Sequence, residues 1–262
     1  MSLSITVITV AYNSTKTIAD TLDAVAMQTH TDIEHLVIDG ASKDGTVEMV
    51  RSHTNPQIRL ISEPDKGIYD AMNKGLAQAT GEVVGFLNSD DFYADAEVLA
   101  KIASAFQDPA VDACYADLVY VTQDNSRVVR YWKSKPFAKG DFAKGDFAKG
   151  WCPAHPTFYV RKSVIERLGL FDQSYKLAAD VEFMIRYLER GQVRAAYIPH
   201  VLVRMRLGGA TNQSWKNIVR QNKEIFAALR KNGVPFSRMW FAVNKVVSRL
   251  NQFVVGHIRR HQ

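Results

Sequence analysis

The chain has 262 residues, 47% of them hydrophobic, enough for one large domain or two closely joined halves. Its two cysteines, Cys114 and Cys152, exclude a disulfide-stapled or cysteine-metal scaffold, and no run of about eighteen apolar residues is present to span a membrane. The net charge of +6 sits in the tail, where ten Lys or Arg from Lys216 onward face a single acid, Glu224.

The amino terminus enters a strand directly, with no basic leader, so a cytosolic protein without a signal peptide is expected. Ser4–Val10 is an apolar, β-branched run, and Ile18, Leu22 and Val25 follow at helical spacing. A second strand is expected over Glu34–Ile38, then a helix carrying Val47 and Val50. A third strand over Ile58–Ile61 is followed by a helix from about Gly67 to Ala79, and a fourth strand covers Val83–Leu87. Strands alternating with helices predict an α/β fold with a sheet covered on both faces. In such a sheet the carboxyl ends of parallel strands share one edge, where ligands bind. The polar groups that follow the strands therefore converge: Tyr12-Asn13-Ser14, Asp39-Gly40-Ala41-Ser42, Glu63-Pro64-Asp65-Lys66 and Asn88-Ser89-Asp90-Asp91.

The last of these is the most informative. Adjacent carboxylates at a strand end are costly unless a cation neutralises them, and hard oxygen ligands select Mg²⁺ or Mn²⁺. An exposed turn with a helix cap is the competing reading, since Asp is common in both.

The run Ile5-Thr6-Val7-Ile8-Thr9-Val10-Ala11-Tyr12-Asn13 resembles the opening of glycosyltransferase family 2. So do Val37-Ile38-Asp39-Gly40-Ala41-Ser42-Lys43-Asp44-Gly45-Thr46 and the segment from Glu63 to Gly75. Asn88-Ser89-Asp90-Asp91 matches the family's DXD-type metal motif, with Ser89 replacing the first Asp. The resemblance implies a GT-A fold: a Rossmann-like, mixed but mostly parallel sheet with helices on both faces, plus C-terminal helices. It implies an inverting, metal-dependent transfer from a nucleoside diphosphate sugar, a UDP-sugar being the expected donor, to an acceptor hydroxyl. Carried over residue by residue, Thr9, Ala11, Tyr12, Asn13, Asp39, Ser42, Asp44, Lys66, Asn73, Ser89 and Asp90 contact the nucleotide-sugar, and Asp91 ligates the metal.

Three segments follow: a donor half over 1–115, an acceptor half over 116–215, and a tail over 216–262. Residues 137–150 repeat Phe-Ala-Lys-Gly three times, either a duplication in a tolerant surface loop or a mobile lid or acceptor-binding loop. His155, in Cys152-Pro153-Ala154-His155-Pro156, is either a core histidine or a metal or substrate contact. Val181, Met184, Ile185 and Leu188 form one buried helical stripe. Asp180 at its start is either an N-cap or, as the resemblance implies, the general base; Glu182 is its rival. Arg204 and Arg206, before a Gly pair, are expected at the diphosphate or on a solvated rim.

The tail over Phe236–Ile258 reads as an amphipathic helix, with Trp240, Val243, Val247, Leu250 and Val254 on one side and Lys245 and Arg249 on the other. It either packs on the protein's own core, forms a dimer seam, or lies on an anionic membrane surface. No nucleic-acid motif accompanies the charge. A lipid-linked or free saccharide is the expected acceptor. A sugar nucleotidyltransferase lacks its Gly-rich basic loop here, and a dehydrogenase its Gly-x-Gly-x-x-Gly. A non-catalytic nucleotide-sugar binding protein is the remaining alternative.

Overall fold

The computed structural model describes residues 2–135, 146–208, 215–245 and 247. Most of the Phe-Ala-Lys-Gly repeat, the Gly209-Ala210-Thr211 loop, and Arg249, Leu250 and Val254 of the tail lie outside them.

Four parallel strands form the first half of the sheet: β1 (Ile5–Ala11), β2 (Ile33–Asp39), β3 (Ile58–Ser62) and β4 (Val83–Phe86). Helices α1 (Ile18–Ala26), α2 (Thr46–Ser52) and α3 (Ile68–Gln78) connect them. The remaining strands are β5 (Phe92–Tyr93), β6 (Ala113–Val121), β7 (Val128–Trp132), β8 (Tyr159–Arg161) and β9 (Ala195–Arg206), with helix α4 (Val98–Ala105) between β5 and β6. The sheet order is β3-β2-β1-β4-β8-β6-β9-β5, and β7 pairs with β6. β8 runs antiparallel to β4 and β6, β5 to β9, and β7 to β6. β6 spans the boundary expected at 115/116, so both halves share one sheet.

Every residue of β1 is buried, because side chains alternate between two covered faces. Ile8 and Val10 join one core with Leu76 of α3, while Ile5 and Val7 join another with Val25 and Leu99. A Cβ on Gly85 would overlap the ring of Tyr159, so glycine there lets β8 pack against β4.

Helix α5 (Lys162–Leu168) leads to α6 (Ala179–Ile185), which continues as a π-turn over Arg186–Arg190. The expected stripe of Val181, Met184, Ile185 and Leu188 is buried. Helix α7 (Trp215–Lys231) packs against α6, and a further helix over 238–245 follows. That last helix faces opposite to the tail's apolar stripe. Phe241 is buried against Phe226 and Lys245 bonds Asn222 at 2.7 Å, whereas Trp240, Val243 and Val247 are exposed. The stripe's described residues, Trp240, Val243 and Val247, are therefore not packed on the described core.

Candidate active site

Strand order reverses at β1, which has β2 on one side and β4 on the other. The crevice at such a switch point is where open α/β sheets bind ligands. The loops after β1 and β2 meet there. The Asn13 amide donates to Ser42 Oγ at 2.8 Å, and the Lys43 amide donates to Asn13 Oδ1 at 3.0 Å. Asn13 and Ala41 both hold a positive φ, of 50° and 60°, a strained geometry common at ligand sites. A Cβ on Gly40 would collide with Asp65, so the glycine also lets the β3 loop close in.

Asp39 ends β2, fully buried. Its Oδ2 accepts from the Ser42 amide at 3.0 Å and the Ser62 hydroxyl at 2.7 Å, while Oδ1 has no partner among the described residues. A buried, unpartnered carboxylate oxygen calls for a donor from outside the chain. Ala11 is buried beside it at the end of β1, and the Tyr12 ring is exposed. Lys66 presents an exposed side chain, its amide donating to Asp70.

Three expected nucleotide contacts have structural partners instead. Thr9 is fully buried in β1, its hydroxyl 3.0 Å from His35 Nε2. Asp44 accepts from the amides and hydroxyls of Thr15 and Thr46, hydrogen bonds that hold its carboxyl below the usual carboxylate range. Asn73 uses both ends of its amide on the main chain of Phe171, at 2.9 Å each. Thr46 is two residues from Asp44 in the same motif, but motif spacing does not carry the other partners, His35 on β2, Thr15 in the loop after β1 and, for Asn73, Phe171 ninety-eight residues away.

Beyond β4, Ser89 Oγ lies 2.8 Å from Ser14 Oγ. Asp91 is fully buried, its Oδ1 accepting from the Arg206 amide at 3.2 Å and its Oδ2 from Asn88 Nδ2 at 3.1 Å. Burial, then repulsion from Asp90, pushes its pKa well above the carboxylate range; burial also raises Asp90. Asn88 Oδ1 is buried with no partner among the described residues. Two carboxylates short of compensation, with an orphaned amide oxygen beside them, fit a hard divalent cation. Among the described residues no third His, Cys, Asp or Glu joins them, so the remaining ligands would come from water and substrate.

Neither arginine stands free for a diphosphate. Arg206 is buried; its guanidinium donates to the carbonyls of Gln123 (3.0 Å) and Asp90 (2.9 Å) and to the Asp20 carboxylate, and lies over the Phe92 ring. Arg204 is held by Asn125 Oδ1 at 2.9 and 2.8 Å. The side chains of the β9 terminus point where β5 and the β6–β7 turn lie, which spacing does not show.

Asp180 stands in the first turn of α6, but the cap is Ala178 and no side-chain cap bond exists. Its Oδ1 instead accepts from the Tyr69 hydroxyl at 3.1 Å. Asp180 and His155 line one cavity of about 220 Å³. His155 stacks on Phe86, and burial lowers its pKa, with the charge of Asp180 partly opposing. Glu182 points elsewhere. It is fully buried among Arg186, Asn232 and Lys231, at 3.2, 3.3 and 3.7 Å, so it is not a rival base. Arg206 lines the Asp180 cavity and also holds the Asp90–Asp91 loop, whose own residues do not line that cavity. The sequence reading missed Tyr69, although it lies inside the segment quoted above.

Two solved structures share this architecture. Staphylococcus aureus TarS residues 1–349, in complex with UDP-GlcNAc, superposes with a TM-score of 0.66 at 20% identity, over 87% of this chain and 66% of that one. The chain thus spans just under two thirds of that 1–349 segment. The mannosyltransferase PcManGT of Pyrobaculum calidifontis, in complex with GDP-Man and Mn²⁺, gives 0.63 at 21% identity over 98% and 83%. The fold is that of the GT-A glycosyltransferases, as expected. Residues 6–169 match the model of glycosyl transferase family 2, and the chain belongs to that family. A PGL/p-HBAD biosynthesis glycosyltransferase of Mycobacterium tuberculosis is 30% identical over 201 residues, 73% of this chain and 72% of its own. An uncharacterised glycosyltransferase from the same species is 31% identical over 187 residues, 70% and 68%. The protein is a glycosyltransferase.

Proposed function

We propose that the protein transfers a sugar from a nucleoside diphosphate sugar, with a UDP-sugar the expected donor, to an acceptor hydroxyl with inversion at the anomeric carbon. The observation that supports this is Arg206, which lines the cavity that holds Asp180 and bonds both Asp90 and Asp91, linking the two acid sites through one residue. Asp39 Oδ1 receives a base N–H, and Tyr12, Asn13 and Ser42 frame the nucleoside. Ser89 and Asp90 meet the ribose or sugar. Asp90, Asp91 and the Asn88 amide oxygen would hold Mg²⁺ or Mn²⁺, which supplies Lewis-acid stabilisation of the leaving diphosphate. Asp180 takes the acceptor's proton as its oxygen attacks, in a single displacement. Tyr69 donates to Asp180 Oδ1, fixing the carboxylate and leaving Oδ2 for the acceptor. His155, held toward its neutral form by burial, adds no positive charge beside the base.

Asp180→Asn tests the assignment. Turnover should fall by about 10²–10⁴-fold with donor binding kept, measured by nucleoside diphosphate release and by titration of the donor with Mn²⁺. An active Asp180→Asn enzyme would refute the role.

We further propose a peripheral site of action on the inner membrane face, with a lipid-linked saccharide as acceptor. Among the described residues no helix is long and apolar enough to cross a membrane. The outward face of helix 238–245 supports this: Met239, Trp240 and Val243 are exposed, continued by Val247, in a basic tail. Co-sedimentation with anionic vesicles at low and high salt tests it; a protein that ignores such vesicles at low salt refutes it.

A further inference from the structure

Glu224, the single acid of the basic tail, does not face solvent as its neighbours do. It lies on α7 with its side chain 15% exposed, against 59% for Arg220 one turn earlier. Its Oε2 accepts from three successive amides, those of Lys176 at 3.0 Å, Leu177 at 2.7 Å and Ala178 at 3.1 Å. Its Oε1 accepts from Arg220 Nε at 3.2 Å. Successive amides turned toward one point form a concavity for an anion, and here the chain fills it with its own carboxylate.

Those amides are the entry to α6. Ala178 is the cap position and offers no side-chain cap, and Asp180 follows two residues later. The preceding segment, Asp172 to Ala178, is neither helix nor strand. Helix α7 grips it at two further points. Lys231 Nζ donates to Asp172 Oδ2 at 2.6 Å, and Gln221 Nε2 donates to the Leu177 carbonyl at 3.4 Å. One turn into α6, Glu182 is anchored by Arg186 and Asn232. Asp180 thus stands between two anchors. Ala178 and Ala179 are buried, but a methyl group fixes the depth of a turn more than its rotation. Rotation matters here, because Asp180 Oδ1 has to meet the Tyr69 hydroxyl, which α3 presents at 3.1 Å.

We infer that Glu224 is a positioning residue for the base. It fixes the amides of residues 176–178, and with them the rotation at which Asp180 meets Tyr69 and the cavity. The inference rests on the reading of Asp180 as general base. A reacting group misplaced by about 1 Å can lose about 10²-fold in rate. The loops after β1, β2 and β4, where the donor is proposed to bind, have no share in the Glu224 bonds.

The test is a double-mutant cycle with Glu224→Ala, Asp180→Asn and the pair. Turnover is read as UDP release from a UDP-sugar with Mn²⁺, below the melting temperature of each variant. Glu224→Ala should lower kcat by about 10–100-fold, with the Kd of UDP and Mn²⁺ unchanged. In the Asp180→Asn background the same change should cost less than about twofold, because a residue that acts through Asp180 has nothing left to place. Glu224→Gln keeps an oxygen within reach of the three amides and should recover most of the loss. Glu224→Asp keeps the charge but falls one methylene short and should not; it also replaces the alanine variant if that one does not fold. Hydrogen exchange at the amides of 176–178 should quicken in the alanine and aspartate variants and not in Glu224→Gln. An unimpaired kcat in Glu224→Ala or Glu224→Asp, or an equal fold-loss in both backgrounds, overturns the inference and leaves Asp180 as the base. A fully active Asp180→Asn enzyme removes the base reading, and this inference with it.

Discussion

Arg206→Met separates two roles for this residue. As a diphosphate contact it would add donor affinity and little stability. As placed, its guanidinium donates to two main-chain carbonyls and to Asp20 and lies 4.9 Å from the Phe92 ring centroid. A hydrogen bond to a charged group is worth about 1.5–3 kcal/mol. The loss is reduced on three counts. Asp20 is 57% exposed and stays solvated without its partner. The Gln123 carbonyl lies in an exposed turn where water can replace the arginine. Met keeps much of the aliphatic contact with Phe92. A net cost of about 2–3 kcal/mol remains, mostly from the Asp90 carbonyl. For a domain of this size that lowers Tm by roughly 5–10 °C. The assay is a thermal melt without ligand, followed by donor titration with Mn²⁺ at a temperature where the variant is folded. A Tm within about 1 °C of the unmodified protein, with donor affinity strongly reduced, would refute the clamp and restore the diphosphate contact.

Glu182→Gln leaves Arg186 with a weakened partner in a buried network; a destabilisation of about 3–5 kcal/mol is expected by denaturant unfolding, and a fully stable variant would show that the network is not needed. Asn73→Ala removes both hydrogen bonds to Phe171 and should cost about 2–3 kcal/mol by the same measurement, with donor affinity of the folded protein unchanged; a variant of unchanged stability and weak donor binding would return Asn73 to the nucleotide site. Burial, then repulsion from Asp90, raises the pKa of Asp91, so the folded protein binds this proton more tightly than the unfolded chain does. That contribution is fully present below the unfolded pKa and is lost as pH rises through the folded one. Mn²⁺ competes with the proton, so its effect on Tm should be larger at pH 8 than at pH 5; an equal shift at both would argue against Asp91 as ligand.

The order of strands and helices through Val83–Leu87 was legible in the sequence. β-Branched runs and helical periodicity are local properties that burial on both sheet faces reinforces. The convergence of Asn13, Asp39 and Asp90–Asp91 followed from topology alone, because parallel strands place their carboxyl ends on one edge. The stripe of α6 was equally legible. What each polar side chain touches was not. Thr9, Asp44 and Asn73 lie within motifs of the right spacing, yet Thr9 meets His35 on β2, Asp44 meets Thr15 as well as its neighbour Thr46, and Asn73 meets Phe171. Arg206 could not be told from a substrate contact until β9 was seen to end against Asp20, Gln123 and Asp90. The tail helix shows the same limit. Periodicity gave an apolar stripe, but whether Trp240 or Phe241 turns inward depends on which face α7 and Phe226 offer. Sequence determines the periods because they depend on neighbours along the chain; only tertiary structure decides the partners, because hydrogen bonds and packing form between residues that the chain brings together from far apart.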